Sequence, residues 1–168
     1  LEDGLYVILG NDSSSMDFMY YYDNSGVLRG EVPLLGYRSH RLLFDDNFMY
    51  YSISEKRMAQ VNRLGQVTKV YDLGNYKLHH DYVFDENGNL YIADFCANAI
   101  VKVTKDGYVS RLAQSPDCDG LDGGLDQPGE PIIYDGKIVA SCFDLVTGPG
   151  KVNTAHEMPA TLAEVDIS

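Results

Sequence analysis

His80-Asp81-Tyr82-Val83-Phe84-Asp85 decides the fold, because its order of residue types returns as His40-Arg41-Leu42-Leu43-Phe44-Asp45 and as Glu130-Pro131-Ile132-Ile133-Tyr134-Asp135. Each stretch opens on a polar residue, continues through apolar ones and closes on an aromatic residue followed by Asp. Short runs rich in β-branched and aromatic residues form strands. Equivalent positions of a repeat occupy equivalent places, so His40, His80 and Glu130 are expected to open onto one shared space.

The repeat continues past these openings. Asn47-Phe48-Met49-Tyr50-Tyr51 matches Asn89-Leu90-Tyr91-Ile92-Ala93, and Met58-Ala59-Gln60-Val61-Asn62 matches Ile100-Val101-Lys102-Val103-Thr104. The offset is 42 in these segments (47 to 89, 58 to 100) against 40 at the histidines (40 to 80), which suggests a two-residue turn insertion around Gly88. Gly65 and Gly107 keep the longer offset and precede the β-rich runs from Val67 to Leu73 and from Val109 to Leu112.

Four short strands per unit of about 40 to 50 residues are the signature of an all-β protein of β-propeller type, each unit one blade with its innermost strand lining a central channel. Leu5-Tyr6-Val7-Ile8-Leu9, Phe18-Met19-Tyr20-Tyr21-Tyr22 and Lys137-Ile138-Val139-Ala140-Ser141 supply further strands. Asp23-Asn24-Ser25-Gly26, Asn87-Gly88-Asn89, Lys105-Asp106-Gly107 and Tyr134-Asp135-Gly136 supply turns. No apolar stretch approaches the roughly 20 residues needed to cross a bilayer, so a soluble chain is expected, without a membrane partner.

Counting strands gives about four blades, two complete and two partial. The first unit, up to about Leu35, has three strands and lacks the innermost one, whereas the last has an inner pair, Pro131 to Asp135 and Lys137 to Phe143, and then Thr161 to Ile167. Propellers have about four to eight blades, and open sheet edges are normally paired or covered. A small closed ring, or closure by self-assembly as a homodimer that completes the propeller, is therefore expected, within a single propeller segment over residues 1–168. The first residue, Leu1, fits a processed, excised or engineered piece.

The net charge of −12 lacks the basic stripe that nucleic-acid binding needs. The acidic residues sit in turns and are read as a solvated surface. Cys96, Cys118 and Cys142 cannot all pair within one chain and lack zinc-site spacing; two half-buried thiols and one loop thiol are expected. The 13 tyrosines are read mainly as packing, with an aromatic pocket for a phenolic ligand as the alternative. Asp119-Gly120-Leu121-Asp122-Gly123-Gly124 lacks both the helix of a phosphate cradle and the spaced acids of a calcium loop, so it is read as a connection between blades.

Two family resemblances overlay this reading. Gly36-Tyr37-Arg38-Ser39-His40-Arg41, Val61-Asn62-Arg63-Leu64-Gly65, Gly74-Asn75 and His79-His80-Asp81-Tyr82, within about Leu5 to Ala93, resemble blades of bacterial arylsulfate sulfotransferases. Asp119-Gly120, the run from Asp122 to Pro131 and the tail from Asn153 to Ile167 resemble the SMP-30/gluconolactonase/strictosidine-synthase-like propellers. A change of family at the Asn-Gly turn, dividing 1–88 from 89–168, suggests a chimera, and solenoid-like additivity of neighbouring blades makes such a join physically reasonable.

The first resemblance implies sulfuryl transfer through a channel histidine, with His80 and its neighbour His79 as the catalytic candidates; the repeat itself makes His40, Arg38 and Arg41 candidates for lining the channel, the alternatives being a structural histidine and solvated surface arginines. Imidazole is nucleophilic near neutral pH, and cations stabilise the charge that develops. The second implies a divalent cation such as Ca2+, held by Glu130 and other groups, that activates water toward a lactone or ester; Asp94, Asp119 and Asp122 are the nearest substitutes for the missing ligands. Two imidazoles and a carboxylate could also ligate Zn2+. Since later sulfotransferase blades are replaced, a hybrid or fragment scaffold without efficient catalysis is the favoured function, with the transferase and the hydrolase as alternatives.

Overall fold

The computed structural model describes residues 4–9, 16–36, 39, 41–78, 81–143, 152 and 160–167. These form four antiparallel sheets whose strands follow one another in chain order. The first is β1 (Leu5–Leu9), β2 (Phe18–Tyr22) and β3 (Leu28–Pro33); the second is β4 (Leu42–Phe44), β5 (Phe48–Ser54), β6 (Arg57–Asn62) and β7 (Val67–Asp72). The third is β8 (Tyr82–Phe84), β9 (Leu90–Asp94), β10 (Ala99–Val103) and β11 (Val109–Gln114); the fourth is β12 (Pro128–Tyr134), β13 (Lys137–Cys142) and β14 (Leu162–Asp166). A single 3-10 turn, Phe95–Ala97, is the helical element among the described residues. The chain divides into two compact units, Leu1–Asp72 with the first two sheets and Leu73–Ser168 with the last two.

One turn recurs in three sheets and fixes which strand is which. Asp23, Asn62 and Thr104 each accept, through a side-chain oxygen, the N–H four residues on, from Val27 at 3.0 Å, Gln66 at 2.9 Å and Tyr108 at 3.1 Å. Each also donates its own N–H to the carbonyl of that same residue. The intervening Gly26, Gly65 and Gly107 have φ of 75°, 78° and 92°, a region that residues with a Cβ enter only under strain. Since these turns join β2 to β3, β6 to β7 and β10 to β11, β1 is the counterpart of β5 and β9. The first sheet thus has the three outer strands of a blade, as its sequence indicates.

Strand pairing corrects the expected alignment by one residue. Leu43 lies opposite Tyr50 and Tyr50 opposite Gln60, while Val83 lies opposite Tyr91 and Tyr91 opposite Lys102. Tyr50 and Tyr91 are therefore counterparts, at an offset of 41 (50 to 91), whereas letter matching sets Tyr50 against Ile92. The extra residues of the third sheet are not both in the inner hairpin. One is there, five residues standing between Phe84 and Leu90 where four stand between Phe44 and Met49. The other enters at the opposite end, where Phe95–Ala97 bridges β9 to β10. A one-residue slip exchanges the two faces of a strand, so the distinction decides which side chains are comparable.

Each unit has its own core. Met19, Leu34, Met49, Tyr51, Ala59 and Val61 pack together in the first, with Tyr6, Ile8, Leu42 and Ile53 around them. Tyr91, Ala93, Ile100, Leu125, Ile138 and Ala140 do so in the second. Tyr50 and Tyr51 are adjacent and both buried, which requires cover on both faces of β5 because successive side chains alternate. Packing thus accounts for these tyrosines.

Two surface expectations are revised. Asp17, Asp81, Asp94 and Asp126 are buried rather than solvated. Cys96 is exposed because it falls on the 3-10 turn, Cys118 is half-buried in its loop and Cys142 is buried at the end of β13; none of the three is in a disulfide. Among the described residues no helix is long and apolar enough to cross a membrane.

Candidate functional site

The inner strands β4, β8 and β12 begin at one end of their sheets, and in each unit buried polar groups collect at that end. In the first unit Asp17 accepts the Ser39 N–H at 2.6 Å, and the Ser39 hydroxyl donates to the Ser52 carbonyl at 2.7 Å. The chain is thereby anchored immediately before β4. Arg41, just after, is half-buried.

The second unit repeats the arrangement with other residues. The Asp81 carboxylate accepts the Tyr82 N–H at 2.7 Å, and the Asp81 carbonyl accepts the Ala93 N–H at 3.3 Å. Asp94 accepts the N–H groups of Lys77 and Ala97, both at 3.2 Å. Asn98 accepts the Gln127 N–H at 3.0 Å and fixes the approach to β12. Gly129 is required next, since a Cβ there would lie 1.8 Å from the Phe143 ring. Buried polar groups must find partners, and here they find them in the backbone that leads into each inner strand.

His40, His79, His80 and Arg38 lie outside the described residues, as does the tail from Asn153 to Pro159. Glu130 is exposed on β12, and its N–H donates to the Ser141 hydroxyl at 3.3 Å. Among the described residues no group of three His, Cys, Asp or Glu is placed to hold a metal ion. Asp119 and Asp122 accept the N–H groups of Leu121 and Gly124, both at 3.1 Å, as turn formers. Asp94 likewise accepts amides.

The other end of the sheets carries a contact that sequence reasoning noticed only as an aromatic-Asp pair. The Asp45 carboxylate accepts the N–H groups of Asn47 and Phe48 at 2.8 and 2.7 Å and the Tyr50 hydroxyl at 2.8 Å. Asp85 accepts the N–H groups of Asn87 and Asn89 at 2.9 and 2.8 Å, the Asn89 side-chain amide at 2.8 Å and the Tyr91 hydroxyl at 3.2 Å. Desolvation opposes ionisation of both carboxyls, yet these donors outweigh it and hold both below the usual carboxylate range. Burial pushes the Tyr50 hydroxyl up to about 12, and burial likewise raises Tyr91, with the Lys102 ammonium 5.5 Å above its ring. Burial raises the Cys118 thiol as well, which disfavours the nucleophilic thiolate.

Beside Asp85 an open cleft of about 570 Å³ is lined by Phe84, Glu86, Asn89, Tyr91, Lys102 and Ile133, among others. It belongs to the turn end of β8, away from the strand opening at Asp81. Recurrence of Phe-Asp with a tyrosine five or six residues later was the available signal for this end.

Residues 1–111 match the family described as Arylsulfotransferase (ASST). The chain belongs to the arylsulfotransferase family. The match runs through the turn at Gly88 and on into β11 of this arylsulfotransferase-family chain, so it overlaps the segment that resembles the second propeller group. No curated protein matches the chain in sequence.

Among solved structures, virginiamycin B lyase from Staphylococcus aureus is similar at a TM-score of 0.58 and 13% identity, covering 95% of this chain and 54% of its own. A streptogramin B lyase is similar at 0.54 and 13% identity, covering 98% and 55%. Regucalcin from Agrobacterium tumefaciens, a calcium-binding protein, is similar at 0.62 and 15% identity, covering 91% and 53%. At such identities the likeness shows the fold, a β-propeller, and the regucalcin match agrees with the resemblance to SMP-30-like propellers. The chain spans about half the length of these structures.

Proposed function

We propose that this chain is a propeller scaffold of the arylsulfotransferase family, without efficient catalysis by itself, and that two copies associate to complete a ring. The observation that carries the reading is the sheet composition. Among the described residues the sheets hold three, four, four and three strands, and the chain spans about half the length of the similar propellers. A homodimer would bring together two such sets. Light scattering tests the assembly, with a doubled mass expected and a single-chain mass counting against it. A join between two parent families, dividing 1–88 from 89–168, belongs to the same proposal; the family match itself runs on to residue 111.

The family match across His79-His80-Asp81 favours a second reading, sulfuryl transfer. In that chemistry an imidazole nitrogen of His80 attacks the sulfur of an aryl sulfate, the S–O bond to the aryl oxygen breaks and phenolate leaves. An acceptor phenol then takes the sulfuryl group from nitrogen, giving its hydroxyl proton to a base. His79 is the neighbouring candidate for proton exchange, and Arg38, Arg41 and His40 are the candidates for contact with the sulfate oxygens.

Turnover of an aryl sulfate by the purified chain, abolished by His80→Ala, would replace the scaffold reading with this one. A lactone or ester hydrolase dependent on Ca2+ is the remaining alternative, supported by the likeness to regucalcin. Activity lost on chelation and on Glu130→Gln would select it. The scaffold reading expects neither activity.

A further inference from the structure

We propose that the cleft beside Asp85 is a binding site for a small organic monocarboxylate with a compact apolar body, the Lys102 ammonium taking the carboxylate. At about 570 Å³ the cleft falls in the size range of small-molecule sites. Phe84, Tyr91 and Lys102 of the third sheet line it together with Ile133 of β12, Gly136 in the following turn and Ile167 just after β14. It lies wholly within the unit Leu73–Ser168, at the end of the sheets opposite to the transfer candidates.

Comparison of the repeats isolates the charge on Lys102. Gln60 is its counterpart, each lying opposite its tyrosine, and the neutral Gln60 amide donates to the Tyr50 hydroxyl at 3.0 Å. Lys102 does the same for the Tyr91 hydroxyl and lies 5.5 Å from that ring's centroid. The turn architecture therefore needs a donor at this position but not a cation.

No carboxylate answers that cation. Asp85 Oδ1 is taken by the N–H groups of Asn87 and Asn89, and Oδ2 by the Asn89 amide and the Tyr91 hydroxyl. The ion pairs of the described residues, Arg29 with Asp23, Arg57 with Asp72 and Lys137 with Glu164, do not include Lys102. An ammonium has three N–H donors, so the half-buried Lys102 retains donors for an anion in the cleft that it lines.

The rest of the lining sets the class of ligand. Ile133 and Ile167 are half-buried at the margin of the core, and with Phe84 they offer apolar surface that a hydrocarbon or ring body would remove from water. Asp85 and Glu86 at the same cleft limit the charge. One carboxylate can sit on Lys102, whereas a second would meet like charge, in a chain whose net charge is already −12. Dicarboxylates and phosphate esters are thereby disfavoured.

The test is an NMR titration of the full chain with 3-phenylpropanoate, beside its uncharged amide and succinate. Saturable shifts of the amides of residues 84–91, 102, 133 and 167 are expected, with a Kd of about 1 mM or below. The amide should bind about tenfold more weakly, as for loss of a charge-assisted hydrogen bond, and succinate more weakly still. Lys102→Gln, which installs the residue that the second sheet carries, should weaken the acid about tenfold and leave the amide unchanged. The acid and amide comparison needs no variant, so it decides the matter even if Lys102→Gln folds poorly. No saturable shift up to about 20 mM acid, an amide that binds as well as the acid, shifts centred away from the cleft, or a folded Lys102→Gln chain with unchanged affinity would overturn the proposal. The readout is binding, not turnover or mass, so its failure is separate from failure of the scaffold reading.

Discussion

The sheets β4–β7 and β8–β11 solve one problem with different loop lengths. Both close the inner hairpin on an Asp that gathers turn amides and a tyrosine hydroxyl, yet one turn is a residue longer. In the longer turn Asp85 takes a fourth donor, the Asn89 side chain, and in the shorter Gln60 donates to the Tyr50 hydroxyl at 3.0 Å. The comparison teaches that the Asp-to-Tyr contact, and not the length of the turn, sets the register of the inner strand.

Cutting beneath that contact should cost most. Tyr51 and Ile92 are counterparts, both buried, but the Tyr51 hydroxyl also accepts the Leu35 N–H at 3.0 Å. Tyr51→Ala is expected to lose about 4 kcal/mol in urea denaturation and Ile92→Ala about 3 kcal/mol, since the first leaves an unpaired amide besides a cavity. Equal losses would show that the second sheet relaxes around the gap.

The carboxylates come next. Asp85→Ala should cost about 2 kcal/mol and Asp45→Ala about 1 kcal/mol, because Asp85 has more donors and is half-buried whereas water competes at the exposed Asp45. The reverse order in thermal denaturation would refute this account of the turns.

The tyrosine hydroxyls give a pH signature. Tyr50 titrates at about 12 in the folded chain against an ordinary value of 10.0. Its stabilising contribution is thus fully present below the unfolded value and declines as pH rises from there through the folded value. Tyr50→Phe should flatten that alkaline decline in equilibrium unfolding. At the acid side Asp45 and Asp85 are depressed, so their contribution is present above the ordinary carboxylate range and is lost as pH falls through their lowered values. Asp45→Asn with Asp85→Asn should shrink the acid limb.

Adding one Gly after Asp46, which equalises the two turns, should change stability by less than about 1 kcal/mol, since loop closure depends weakly on length. A larger loss would mean that the turn itself sets the register.

Strand positions were legible because apolar runs alternate with turn residues, and the incomplete first blade could be counted from letters. The offset of β9 was not, since Asn-Leu-Tyr matches Asn-Phe-Met-Tyr as readily with a slip as without, and the 3-10 turn at Phe95–Ala97 leaves no gap in the letters. The burial of Asp17, Asp81 and Asp94 was hidden for a related reason. An acid beside a turn reads as solvated until the backbone amides that it accepts from are brought to it by tertiary structure. His80 was singled out by repetition and by resemblance, and the described residues beside it, Leu78 and Asp81, are both buried.

In each sheet every hydrogen-bonded strand is also the next strand along the chain. Such pairings close short loops, so little entropy is spent before each hairpin forms. A chain emerging from the ribosome can therefore zip β4 through β7 before β8 has been made. β8 through β11 can close in the same way once β11 has been made.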